Sequence, residues 1–233
     1  MKAILFDLDG TLLQMDNDEF LKRFEEVMVP YFISLGYDGN EFSRAYSSTF
    51  YKMIKNDGSK TNEEVFFKAL LEVYKDKEKL NSDLNLFYEN ALDEVCTILK
   101  RDQYPRLLID LLKERGYKLI LATNPLFPKE FTYKRIRWAG LEPDDFSYIS
   151  TYDNSSYSKP SREYYLDLIS KNRLMDDELI MIGNDIDDDF SNLPKGIGRI
   201  LITDFLINRK NAPLDMKHLS LKDLYYEVLE NRI

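Results

Sequence analysis

Cysteine and histidine are nearly absent: Cys96 and His218 are the only examples in 233 residues. A lone cysteine excludes an internal disulfide and any metal cage built on thiolates. A lone histidine, placed near the C-terminus, argues against a histidine-centred hydrolase. Glycine and proline are sparse, with nine and eight copies, and no low-complexity tract or internal repeat is visible. No apolar run exceeds a few residues, so no segment can span a bilayer, and the N-terminus lacks a signal-peptide pattern. Positive charge is in deficit, since 32 Lys and Arg against 41 Asp and Glu leave a net charge of −9. That balance excludes a nucleic-acid binder, which carries a basic face. It also repels phosphorylated ligands at long range, so any anion site must be local and needs a cation. The expected setting is the cytoplasm, with no membrane contact and no obligate protein partner.

What is present is globular: 44% hydrophobic and 31% charged residues, enough for one large domain or for a core with a smaller companion. Lys2 to Phe6 reads as a short buried strand. A long helical stretch follows. Phe20, Phe24, Val27 and Met28 form one apolar stripe behind an Asp16 or Asn17 cap. Phe42, Tyr46 and Phe50 repeat at helical spacing, and Thr61 with Glu64 forms a capping-box signature. Leu84 to Leu99 reads as one more helix, carrying Cys96 in its apolar stripe. Together these predict a helical bundle, with Tyr46, Phe50, Tyr51, Phe66 and Phe67 mostly in its core.

From Tyr104 the pattern alternates. Helices are expected over 104–115, 129–138, 162–171 and 219–229, and strands at Tyr117–Ala122, Phe146–Ser150, Glu178–Ile182 and Gly198–Ile202. Alternation of this kind predicts an α/β fold: a doubly wound parallel sheet, Rossmann-like, with the helical block inserted after strand one. Such sheets bind ligands beyond the carboxyl ends of their strands.

The residues at those ends are chemically select. Strand one runs into Asp7 and Asp9 of FDLDGTL. The second strand runs into Thr123 and Asn124, and the third into a polar loop reaching Lys159 and Pro160. The fourth leads to Gly183-Asn184-Asp185, with Asp187, Asp188 and Asp189 behind. Phosphoryl transfer suits this set. Asp7 serves as a carboxylate nucleophile, and Asp9 as general acid and then base. Gly10 permits the turn between them. Thr123 and Asn124 hold phosphoryl oxygens, Lys159 counters developing negative charge, and Asp7 with Asp185 offers hard oxygen ligands for Mg²⁺. The metal would also let an anion sit among aspartates.

Together DLDGT, Thr123, Lys159-Pro160 and GNDIDDD resemble the four ordered motifs of the haloacid dehalogenase (HAD) superfamily. The resemblance covers residues 1–14 and 104–205. It implies a catalytic core of residues 1–14 and 104–233 and a C1-type helical cap of residues 15–103. It also implies Mg²⁺ on Asp7, the Asp9 backbone carbonyl and Asp185, phosphate contact by Thr11, and a role for Asp189 in positioning Lys159 or in a further metal contact. The fourth motif departs from the usual Gly-Asp-x-x-x-Asp by inserting Asn184, which leaves Asp188 as a rival to Asp189. The second Asp of DxD marks phosphohydrolases and phosphomutases in this superfamily. The expected function is therefore a Mg²⁺-dependent phosphatase acting on a small soluble phosphomonoester, the substrate a phosphorylated metabolite. A sugar-phosphate mutase or a non-catalytic binding protein on the same fold are the alternatives. The 185–189 acids also open like an EF-hand, but Phe190 and Gly196 stand where Gly and Glu are required. Gly196-x-Gly198 lies far from strand one and is not a dinucleotide loop.

Overall fold

The computed structural model describes residues 3–175 and 178–232. Its centre is a six-stranded sheet, ordered β3-β2-β1-β4-β5-β6 and parallel throughout. The strands are β1 (Ala3–Phe6), β2 (Lys118–Leu121), β3 (Tyr148–Ile149), β4 (Leu179–Gly183), β5 (Gly198–Ile202) and β6 (Lys217–Leu219). All four residues of β1 are buried, as expected for a central strand covered on both faces. Lys2, read as part of that strand, lies outside the described residues. The strand order reverses between β1 and β4, where Phe6 pairs with Ile182, so the crevice of a doubly wound sheet opens beyond those two ends.

The helical insert after β1 begins with α1 (Asn17–Ser34), α2 (Gly39–Ile54), α3 (Asn62–Leu70) and α4 (Lys77–Asn90). Asp16 caps α1 by accepting from Asp18 and Glu19, and Thr61 with Glu64 completes the capping box of α3. The core helices are α5 (Tyr104–Glu114), α6 (Lys129–Trp138), α7 (Arg162–Asn172) and α8 (Leu221–Leu229). Among the described residues no helix is long and apolar enough to cross a membrane.

The helical insert packs on the core through aromatic rings. Phe24 of α1 stacks on Phe131 of α6 with centroids 5.7 Å apart, and Tyr88 of α4 stacks on the same ring at 5.8 Å. Polar contacts pin α3 to the same side. Its first two amides, Asn62 and Glu63, donate to the core carbonyls of Ser155 and Tyr152 at 2.8 and 2.9 Å. The buried Asn62 side chain donates to Pro125 O and Ser158 Oγ, each at 3.0 Å.

Several sequence expectations are corrected. Leu84 to Leu99 is not one helix: α4 stops at Asn90, and a 3₁₀ segment, Leu92–Ile98, follows. Cys96 is therefore half-buried rather than in the core. Tyr51 is 67% exposed, off the bundle interior, while Tyr46 and Phe66 are buried. The closing helix begins at Leu221, capped by Ser220, because Lys217–Leu219 forms a sixth strand. That strand is short, polar and at the sheet edge, so no apolar alternation marks it.

Candidate active site

Asp7, the first residue past β1, is still tied to the sheet by its N–H to Ile182 O at 2.9 Å. The chain then folds back tightly, with Gly10 N–H on Leu13 O and Leu13 N–H on Leu8 O, both at 2.8 Å. Gly10 has φ +78°, and a Cβ there would lie 2.2 Å from Asn184 Nδ2, so only glycine fits. Thr11 is fully buried. Its hydroxyl donates to Asn184 Oδ1 at 3.1 Å and lies 3.4 Å from Asp7 Oδ2. The loops after β1 and β4 are thus zipped together at the crevice.

Lys159 reaches this point from the loop before α7. Its ammonium donates to Asp7 Oδ1 at 2.8 Å and to Asp189 Oδ1 at 2.6 Å, and the residue is only 1% exposed. Burial alone would favour the neutral amine, but the charges of Asp189 and Asp7 outweigh it and hold Lys159 well above the usual lysine range. Asp189 Oδ2 also accepts from the Asp185 N–H at 3.0 Å. It is Asp189, not Asp188, that meets Lys159; Asp188 is half-buried and accepts from Asn124 Nδ2 at 3.4 Å. Tyr165 secures both from behind, its hydroxyl 2.9 Å from each of their carbonyls.

Asn124 Oδ1 accepts from the Lys159 N–H at 3.2 Å, so the loop after β2 and the lysine loop hold each other. Thr123 is buried at the tip of β2, its carbonyl taking the Tyr164 hydroxyl at 3.0 Å. Asp185 uses Oδ1 to receive the Asp187 and Asp188 amides, at 2.9 and 3.1 Å. Its Oδ2 receives Arg209 Nη1 at 3.0 Å. Among the described residues no three His, Cys, Asp or Glu side chains form a ready-made metal cage.

Asp9 stands apart from the lysine. Its Oδ2 is paired with Arg135 Nη1. Burial raises this carboxyl above the ordinary aspartate range even though Arg135 pulls the other way. Arg135 went unread in the sequence. It is 1% exposed, and its guanidinium lies 4.8 Å from the Phe127 centroid and 5.1 Å from that of Phe131. The available signal was spacing: Phe131 and Arg135 are four residues apart, on one face of α6. His218 is exposed on β6, its Nδ1 3.0 Å from Met216 O.

The set joins the strand-end carboxylate of Asp7 to a buried ammonium, Lys159, and pairs the next acid, Asp9, with a buried guanidinium, Arg135. Comparison with known proteins bears on the family and the fold. Residues 1–190 match the model of the haloacid dehalogenase-like hydrolases. No curated protein matches the chain. Among solved structures, a HAD phosphatase from Thermococcus onnurineus is 24% identical over 97% of both chains, with a TM-score of 0.59. A HAD-hydrolase from Bacillus subtilis, solved bound to magnesium, is 19% identical over 98% of both chains, at 0.59. A 2-haloacid dehalogenase from Pseudomonas syringae is 16% identical over the whole of both chains, at 0.65. At these identities the structures establish a shared fold, and the family match rests on most of the chain: this protein belongs to the haloacid dehalogenase-like hydrolases.

Proposed function

We propose that the chain is a Mg²⁺-dependent phosphatase acting on a small soluble phosphomonoester in the cytoplasm, with residues 15–103 as a cap over a core of 1–14 and 104–233. The observation that carries this reading is the Lys159 ammonium joining Asp7 to Asp189 at the sheet edge. A phosphoryl group placed over Asp7 would meet a preorganised positive charge, the arrangement that stabilises a transition state gaining charge on its oxygens.

Asp7 attacks phosphorus and becomes an aspartyl phosphate as the leaving oxygen departs with a proton from Asp9. Asp9, now a carboxylate, takes a proton from water, which attacks the same phosphorus, frees phosphate and restores Asp7. Thr123 and the Asn124 N–H contact the phosphoryl oxygens, while Thr11 keeps Asp7 aligned. Asp189 positions Lys159. Asp9 also separates this reading from dehalogenation, because a departing halide needs no proton.

The donors at the site fit magnesium. Asp7, Asp185 and the Asp9 carbonyl are hard oxygens of the kind Mg²⁺ takes together with phosphate and water. Asp185 Oδ2 already attracts a cation, the Arg209 guanidinium. When bound, the ion would draw charge from the phosphoryl oxygens and offset the acidic surroundings.

The test is release of inorganic phosphate from p-nitrophenyl phosphate. It is expected with Mg²⁺, to fall to background with EDTA, and to return when Mg²⁺ is added in excess. Turnover unaffected by EDTA would remove the metal from the scheme. An isomerised sugar phosphate in place of free phosphate would overturn hydrolysis in favour of a mutase.

A further inference from the structure

Arg135 is the largest fully buried side chain among the described residues, and the scheme above gives it no task. It sits on α6, where the helical insert meets the core, and aromatic rings surround it. Phe127 and Phe131 flank the guanidinium. Both rings also touch Phe24 of the insert, at 6.1 and 5.7 Å. Tyr46 and Tyr88, hydrogen-bonded to each other at 2.9 Å, line the same interface. The guanidinium is thus buried among rings, while the Asp9 side chain paired with it is 21% exposed.

Its bonds are few for its five N–H donors. Nη1 meets Asp9, Nη2 lies 3.3 Å from Thr132 Oγ1, and Nε has no partner. Across from it, Asp9 Oδ1 is also sealed from solvent and unpartnered. Two buried polar atoms without partners on one ion pair are uncommon in a finished core. They mark a place where something polar belongs.

The charge balance indicates what. Lys159 has two carboxylates, Asp7 and Asp189, whereas Arg135 has Asp9 alone. Once Asp9 turns its carboxyl to a leaving oxygen, Arg135 keeps only the neutral Thr132 hydroxyl. A buried cation without a counter-ion is strongly unfavourable. A substrate that brings its own anion to this spot removes that penalty, and a neutral one does not.

From this we infer that Arg135 determines specificity: the substrates are phosphomonoesters whose leaving alcohol carries a second anionic group, held by Arg135 beside Asp9. This rests on the phosphatase reading and narrows its substrate class. The planar fork of the guanidinium suits a carboxylate or a second phosphate.

The experiment compares kcat/KM for three close substrates: phosphoglycolate, its neutral near-isostere phosphoglycolamide, and ethylene glycol bisphosphate. p-Nitrophenyl phosphate with Mg²⁺ serves as reference. The wild-type chain should prefer one of the two anionic leaving groups over the amide by at least about 100-fold, the scale expected for a site built around a buried charge partner. Whichever is preferred identifies the anion. Arg135→Met should shrink that ratio to about threefold or less, and Arg135→Lys should keep an intermediate preference. Arg135 also holds Asp9, so absolute rates will change in both variants; the ratio within each variant is the readout.

Equal turnover of amide and acids by the wild-type chain would overturn the inference and leave the phosphatase reading standing. So would a preference that survives in Arg135→Met. Should Arg135→Met fail to fold, the wild-type ratio and Arg135→Lys decide, full preference in the lysine variant counting against a guanidinium-specific contact. Absence of Mg²⁺-dependent phosphate release from all four compounds would bring down the phosphatase reading and the inference with it.

Discussion

Gly183 ends β4 where a side chain would collide with the site. A Cβ there would lie 2.1 Å from Asp189 Oδ2 and 2.9 Å from Asp189 Cβ. Asp189 cannot retreat without giving up Lys159 or the Asp185 amide. Gly183→Ala is expected to cost about 1–3 kcal/mol as an overpacked core does, and to cut phosphate release at least about 100-fold by displacing Lys159. A thermal melt and a phosphate assay check it; unchanged values of both would show that Asp189 does not fix Lys159. At this scale legibility was uneven. Asp7, Thr123, Lys159 and Asp185 could be read because each follows an apolar run or a Pro-marked loop, which predicts a strand end. Arg135 could not, because a buried arginine looks like any helix-surface arginine until its partner, Asp9, 126 residues away in sequence, is brought beside it. The choice between Asp188 and Asp189 was equally hidden. It depends on a π-helical turn, Ile186–Phe190, which turns Asp189 inward.

The helices of the insert were legible where their caps and stripes are local, as in Asp16 before α1 and Thr61 before α3. They were misread where an apolar stripe continued through a break, as at Ala91 between α4 and the 3₁₀ segment. β6 escaped notice because an exposed edge strand carries no burial pattern. The docking of α3 also escaped, because Asn62 is an ordinary polar residue at a helix start. In the fold it links the insert to the loop that leads into Lys159. It donates to Pro125 O and Ser158 Oγ, and Ser158 Oγ in turn donates to Met53 O at 3.3 Å. Asn62→Ala leaves those buried groups short of a partner, at about 1–3 kcal/mol. Amide hydrogen exchange should then quicken across residues 152–158 and 61–66, while the central strand β1 stays protected. Exchange unchanged in both segments would mean that the aromatic contacts alone hold the insert in place.

The molecule as a whole sets its candidate site, rich in aspartates, in an acidic protein. The net charge of −9 repels a phosphate ester at distance, and the site answers locally with Lys159, Arg135 and Arg209 set among its aspartates. Doubly wound topology makes this possible, since parallel strands bring residues from four distant segments to one edge at the reversal between β1 and β4. That topology could be read from the alternation of strands and helices after residue 104. The packing of the insert against α6 could not, because it depends on rings far apart in the chain. The central proposal is that Asp7 itself carries the phosphoryl group. Borohydride reduction of the enzyme, rapidly quenched during turnover, converts an aspartyl phosphate to homoserine, and peptide mass spectrometry locates it. Homoserine at position 7, absent from an Asp7→Asn variant that has also lost turnover, is the expected result; phosphate release with Asp7 unmodified, or reduction at a different residue, would contradict it.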